Sequence, residues 1–540
     1  MQRDLRVTLA AFVLALGLGA GVALHFHALS AGFSGADESA HFLNAYLVKD
    51  YLAHGLAGNP VAFAADLYLH YPKISIGHWP PFYYLVVGPV FALTGATTMA
   101  AMWVNVVVAT LPVLFVSAMV LRAWGAVPAV LAGLVYVLLP LSALGYYFFM
   151  LDQPLTALVA AAASLWLWFA SGPTYAKALA FAAVAAAAVL LKGNGWLVGL
   201  VPPLHIALTG AWRLLRDPRL YVAAALALAA TVPWYLLTFR ISAQGFNYEP
   251  GLPYARMALD ANLAGLLHQG GPVGAAAAAL GAAVSYVMRR REPETWQTAA
   301  LCIAMIVATL AMQSIIPADI DARYLVPAVP PLLVLGAFGT CALHRFLARR
   351  IGAWIAGAVA AAVCLLSLAP AGDYLAREPG KVNLRLGEVA QNYVMPSGGG
   401  IWLVSGSSGA EGALIAEVAA RDPRHQAYVL RASKLMANSD FMGDQYQLTI
   451  ADPAKLDAVL AQLGVAGIVT IDRTGMATMP HQKVLDAALG AAGSAYAPAA
   501  TLAHFTRAGV TRVYVVRTPT TPNLDMLKSI NFPEKASSLF

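Results

Sequence analysis

The chain has 540 residues, 59% of them hydrophobic and only 11% charged, with a mean hydropathy of +0.66. Soluble domains carry about 25% charge, so a purely soluble protein is excluded and lipid is the expected solvent for most of the chain. The net charge of +7 reads as a topology signal facing the cytoplasm, not as a nucleic-acid footprint, because no basic cluster is interleaved with exposed aromatics.

Apolar runs predict eleven full spans, at 7–24, 98–121, 126–144, 155–170, 176–191, 195–209, 220–239, 273–288, 298–316, 324–343 and 351–369. The first run follows Arg3 and Arg6 but is long and has many successors, so it reads as an uncleaved helix and not a signal peptide. One further apolar run, 81–93, is short and bracketed by Pro80-Pro81 and Gly95. Read as a non-spanning half-helix, it leaves thirteen Lys and Arg on the cytoplasmic side, among them Arg122, Arg213 and Arg289, and six on the other. Read as a span, it reverses that ratio, so the positive-inside rule selects the half-helix. The N-terminus is then cytoplasmic, 28–97 and 239–272 are outer loops, and the tail from 371 is extracytoplasmic. Cys302, Cys341 and Cys364 all lie in apolar runs without CxxC spacing, and read as packing residues.

The tail changes character. Strand-like runs at 401–404, 427–430, 467–470 and 513–516 alternate with helix-like runs at 410–421 and 453–463, which predicts an α/β layer domain. The expected division is a membrane domain over 1–370 and an extracytoplasmic domain over 371–540. Gly406, Gly409 and Gly412 lie between a strand and a helix, where they fit either a phosphate cradle or an ordinary turn.

Ionisable residues gather on the expected outer side. Asp37-Glu38 open the first outer loop, ahead of an amphipathic stretch through Phe42, Tyr46 and Leu52 expected to lie along the interface. The loop ends with His70, Lys73 and His78 before Trp79-Pro80-Pro81-Phe82-Tyr83-Tyr84. Interfacial aromatics alone account for the ring residues; two histidines, a lysine and nearby acids also fit a metal site, without tight ligand spacing. Asp152 before Pro154 fits a helix start as well as a catalytic acid, and Lys192-Gly193 and Arg323-Tyr324 fit snorkelling cations as well as ligand-binding ones. Ionisable groups concentrated at one membrane edge are functional candidates.

In this order and on one side, these motifs resemble the multi-spanning glycosyltransferases of the GT-C fold. The pattern is closest to the protein O-mannosyltransferase and lipid A aminoarabinose transferase group and its bacterial relatives. The resemblance runs over about the first 345 residues and includes Arg323-Tyr324-Leu325-Val326-Pro327 with Pro330-Pro331. It implies an α-helical polytopic fold and transfer of a sugar from a polyprenyl-phosphate donor to a glycan, lipid or protein acceptor outside the cytoplasm of a bacterial cell. By the same resemblance, Asp37, Glu38 and Asp152 are the catalytic acids, and Lys73, His78, Lys192, Arg323 and Tyr324 hold the donor phosphate. Many relatives carry a lysine directly before the proline where this chain has Trp79. No obligatory cofactor is expected, with room for a divalent ion near Glu38 or His78. The rival classes are a transporter or lipid flippase, whose sites favour the membrane midplane, and a binding protein acting through the tail.

Overall fold

The computed structural model describes residues 2–532 apart from 440–442, 444, 474 and 520. The last residues of the expected external domain, 533–540, lie outside the described residues. Among the described residues, eight helices are long and apolar enough to cross a membrane, and Phe82–Thr94, Ala126–Leu138 and Tyr175–Val189 are shorter apolar helices. The chain is a multi-pass membrane protein, and ten of the eleven expected spans coincide with these apolar helices; the expected span 195–209 is corrected to the 3-10 turn Gly193–Gly199 followed by the nine-residue helix Val201–Thr209. Several helices begin where the sequence supplies a start signal. Pro112, Pro140, Pro218 and Pro293 stand in first turns, where a missing N–H costs nothing, and Thr174 and Asp217 cap with their side chains.

The chain forms two compact units. The first comprises Met1–His25, Gly77–Tyr83 and Asn105–Pro379; the second comprises Phe26–Ile76, Tyr84–Val104 and Gly380–Phe540. These units do not follow the expected boundary at 370, because the first outer loop packs into the tail.

The first unit is a helical bundle held by small residues. In Leu252–Val287 and the facing Val329–Ile351, a methyl group on Gly281 would stand 2.0 Å from the Leu335 carbonyl oxygen. One on Gly339 would stand 1.9 Å from that of Ala277. Only glycine lets these two backbones approach so closely, as membrane helices without a hydrophobic drive between them require. The expected second outer loop proves mostly helical, since Leu252–Val287 is one element kinked at Gly271, φ 62°, ahead of Pro272. In its first half Tyr254 donates to the Ile316 carbonyl, Asn262 donates to the Ser314 hydroxyl and Gln269 accepts from the Leu141 backbone N–H. All three partners lie at the same end of the bundle. This half therefore lies across helix ends and does not run through the bundle, which keeps its position as a loop.

The second unit is built on a five-stranded sheet. Its strands are β1 (Gly400–Ser405), β2 (Ala427–Arg431), β5 (Val465–Arg473), β6 (Tyr496–Ala503) and β7 (Gly509–Val516), with β3 (Ala437–Asn438) and β4 (Gln447–Leu448) forming a separate pair. The order is β2-β1-β5-β7-β6; β2, β1 and β5 are parallel, and β7 and β6 antiparallel. All four expected strands and both expected helices, Ser408–Ala419 and Pro453–Leu463, are present.

The first outer loop contributes directly to this unit's core. Leu69, from helix Pro60–His70, packs with Ile401, Leu403, Leu430 and Leu456. Helix Glu38–Ala53 packs against Ser408–Ala419, and its residues from Glu38 to Tyr46 are all buried. The expectation of an amphipathic helix lying along the interface is corrected for its first half, where Phe42 and Tyr46 are buried in protein, while Leu52 near its end is exposed.

Candidate active site

The expected site residues fall into two groups. Asp152, Lys192, Arg323 and Tyr324 belong to the first unit, with His78; Asp37, Glu38 and Lys73 belong to the second.

In the first unit, three turns at helix ends converge. Asp152 opens helix Asp152–Ala170, Lys192 precedes the 3-10 turn Gly193–Gly199, and Arg323 lies in the 3-10 turn Ala322–Ala328. Gln153, beside Asp152, holds its own helix start in place by donating to the Leu141 carbonyl and accepting from the Tyr136 hydroxyl. Lys192 Nζ donates to Asp152 Oδ1 at 2.6 Å, with both side chains mostly shielded from solvent. The same ammonium stands 4.4 Å from the centre of the Tyr324 ring, and the Arg323 guanidinium stands 5.2 Å from it. Arg323 is paired with Asp321 at 2.9 Å, and Asp321 also caps the turn by accepting from the Arg323 backbone N–H. Two cations on one aromatic ring, each held by a carboxylate, form an electrostatic clamp (attraction to the ring face adds to the ion pairs). An incoming phosphate would compete with these carboxylates for the same N–H donors. His78 is half-buried with its ring against Trp79.

In the second unit, Glu38 and Asp37 part company. The Glu38 side chain is fully buried and accepts from Lys381 Nζ at 2.5 Å and from the backbone N–H groups of Ser34 and Gly35 at 3.0 and 2.8 Å. Lys381 also donates to the Gly32 carbonyl at 3.1 Å. Burial pulls the lysine pKa down while Glu38 pushes it up. This carboxylate anchors the loop to the tail, which gives Glu38 a structural use. Asp37, half-buried at the helix start, makes no capping bond with its side chain.

Asp37 shares its surroundings with Lys73. Burial first, then Arg431, bring the Lys73 pKa down to about 8, while Asp37 and Glu411 favour its charged form. Lys73 Nζ donates to the Ser408 hydroxyl at 3.4 Å. Behind it, buried Glu411 accepts from Arg431 Nε at 3.0 Å and from the Ser433 N–H at 3.0 Å.

The spaced glycines are explained by packing and not by a phosphate. A methyl on Gly409 would meet the Ser34 carbonyl at 2.6 Å, and one on Gly412 would meet the Ser39 hydroxyl at 2.2 Å. They clear room for the loop to dock on helix Ser408–Ala419, whose N-terminus is capped by Ser407. His70 likewise packs, its ring stacked on Tyr428 at 4.1 Å and its Nδ1 against the Ala427 carbonyl. Among the described residues, no group of three or more His, Cys, Asp or Glu side chains is placed to hold a metal ion. Lys381, Glu411 and Arg431 were not singled out by sequence. Each stands alone in the tail, and only the fold gives it a partner.

No family model and no curated protein matches the sequence. Among solved structures, ArnT from Cupriavidus metallidurans in the apo state is similar with a TM-score of 0.56 and 17% identity, over 93% of this chain and 97% of that one. ArnT from the same organism bound to undecaprenyl phosphate is similar with a TM-score of 0.54 and 16% identity, over 95% and 99%. At such identities the likeness is one of fold, and it extends through both units to the strand-containing tail. The chain has the fold of ArnT.

Proposed function

We propose that this chain is a membrane glycosyltransferase that moves a sugar from a polyprenyl-phosphate donor to an acceptor hydroxyl of a glycan, lipid or protein. The membrane is the bacterial cytoplasmic (inner) membrane, with the N-terminus cytoplasmic and the chemistry on the outer face. The observation that carries this reading is the clamp of Lys192 and Arg323 on Tyr324 at the helix ends of an ArnT-like fold. Undecaprenyl phosphate occupies one of the ArnT structures.

The reaction asks for charge stabilisation where charge grows. As the acceptor oxygen bonds to the anomeric carbon, the bond from that carbon to the phosphate oxygen breaks. Polyprenyl phosphate leaves with the electron pair, and the configuration inverts. Lys192 and Arg323 meet the growing phosphate charge, and Lys73 is a further cation suited to it. Asp37 takes the acceptor proton, a role that needs hydrogen-bond reach more than an extreme pKa. Asp152 holds the Lys192 ammonium in place. No nucleotide is required, because the donor ester already stores the activation.

The purified protein supplied with a radiolabelled polyprenyl-phosphate sugar and an envelope extract tests the reading. The parent should label an acceptor, Asp37→Asn should lose turnover at least a hundredfold, and Lys192→Met should weaken retention of undecaprenyl phosphate. Full turnover in Asp37→Asn would remove it as the base, and undiminished phosphate binding in Lys192→Met would remove the clamp. A chelator arm in the same assay decides whether a divalent ion is required.

A further inference from the structure

The second unit encloses a cavity of about 430 Å³ that none of the chemistry above uses. Its size is typical of small-molecule sites, which run from about 300 to 1,000 Å³. One side is made by residues 28–33, just after the membrane-crossing helix Gln2–His25, and by Thr98 and Met99, which open the helix Thr98–Trp124. The cavity therefore lies where the chain leaves one apolar helix and enters another.

The opposite wall, from Asn383 to Asn392, departs twice from regular backbone. Arg385 is left-handed, with φ 58°, a conformation that a side-chain-bearing residue rarely adopts. Ala390–Val394 forms a π-helical turn, a geometry concentrated at functional sites. That turn carries Gln391 and Asn392 into the cavity wall. Both are exposed, and their amides make no hydrogen bond among the described residues.

Charge in the wall is already cancelled. Arg385 donates twice to Glu388, at 2.8 and 2.6 Å, and Arg421 is paired with Glu417, which also accepts from the Thr98 hydroxyl at 3.0 Å. An ionic ligand finds no unmatched opposite charge. What remains is a set of neutral donors and acceptors beside the aliphatic edges of Leu29 and Met99. A wall that is polar, uncharged overall and apolar along one edge is complementary to a sugar ring, with its hydroxyl rim and C–H faces.

We propose that this cavity binds a neutral sugar residue presented at the membrane surface, either as a glycolipid headgroup or as the end of a soluble glycan. Binding is measured with no donor present, so it stands or falls separately from the transferase reading. The full chain is placed in nanodiscs containing digalactosyl diacylglycerol and phosphatidylglycerol, and bound lipid is counted by native mass spectrometry. A parallel arm offers soluble galactobiose and reads saturation transfer to its ring protons. The parent should retain the neutral glycolipid or contact the soluble sugar, and the arm that responds identifies the source. The double variant Gln391→Ala, Asn392→Ala should lose at least fivefold of that signal at an unchanged melting temperature. The proposal is overturned if neither probe binds the parent, if the double variant binds equally, or if the variant instead loses phosphatidylglycerol, which would make the cavity an anionic-lipid site.

Discussion

Glu38 and Lys381 form a buried ion pair, and such pairs behave asymmetrically on mutation. Removing one partner strands a charge with no solvent, at a cost of about 3–5 kcal/mol, whereas replacing both by apolar groups can be nearly neutral. Lys381→Met and Glu38→Gln should therefore each lower the melting temperature sharply, and the double variant Glu38→Met, Lys381→Met should recover most of the loss. Additive losses in the double variant would mean that the two side chains act independently. Lys73 makes a separate prediction through pH. Its pKa is brought down to about 8 from an ordinary 10.5. Below pH 8 both folded and unfolded chains hold the proton. Between 8 and 10.5 the unfolded chain holds it and the folded chain releases it, so this group makes folding more favourable as pH rises through that window. On the proposed role of Lys73, phosphate binding uses the ammonium and should move the other way, weakening as pH passes 8. Binding of undecaprenyl phosphate measured from pH 6.5 to 9.5 checks this. The parent should lose affinity across pH 8, and Lys73→Met should bind weakly at every pH. At this scale the sequence was only partly legible. Asp152, Lys192, Arg323 and Tyr324 could be named because each stands in a local motif at a predicted helix end. Glu38 looked like a second acid because its partner, Lys381, lies 343 residues away and no local pattern announces it.

The contact between Leu252–Val287 and Val329–Ile351 is made by backbone against backbone, so bulk at its centre has nowhere to go. Gly281→Leu should force these helices apart and lower thermostability in detergent by several degrees. Gly336→Leu, on the second helix where a methyl meets nothing within 4 Å, should change it little. Equal effects from the two would argue that the close approach carries no weight. Helices and strands were legible in proportion to their hydrophobic contrast. The eight long apolar helices announced themselves by apolar length, and β1, β2, β5 and β7 by runs of Val, Ile, Leu and Tyr. Strand β6 was missed because Tyr-Ala-Pro-Ala-Ala-Thr-Leu-Ala has little β-branched content and sits at the sheet edge, where half-exposure blurs the alternation. The helical half of Leu252–Val287 before Gly271 was read as loop, since Arg256, Asp260 and His268 interrupt its apolar residues. A helix lying across bundle ends tolerates such residues, while a span would not.

For the molecule as a whole, the compact units are not consecutive pieces of chain. The tail supplies the core for Leu69, a hydrogen-bond acceptor for Tyr71 in Asp422, and a partner for Tyr68 in Lys434. A chain truncated after residue 379 would retain every span but leave the first outer loop without its core. Limited proteolysis should then cut after Lys49 and Lys73, sites shielded in the full chain, and transfer should be lost. Full turnover by the truncated chain would show that the tail serves only as an accessory. This interdependence was the least legible feature in the sequence. Charge counting gives an expectation for the two sides of the membrane, but it carries no information about which segments pack together.

The separation of Glu38 from Lys381 also has a consequence for biogenesis. The ribosome completes Glu38 long before it reaches Lys381, and the intervening 343 residues take on the order of tens of seconds to synthesise. Throughout that interval the carboxylate lacks its lysine partner and the apolar residues of the loop lack the core that the tail supplies. Closure of this ion pair therefore has to wait until synthesis has passed Lys381. A ribosome that stops early leaves an open loop, a ready substrate for the proteases that police the membrane.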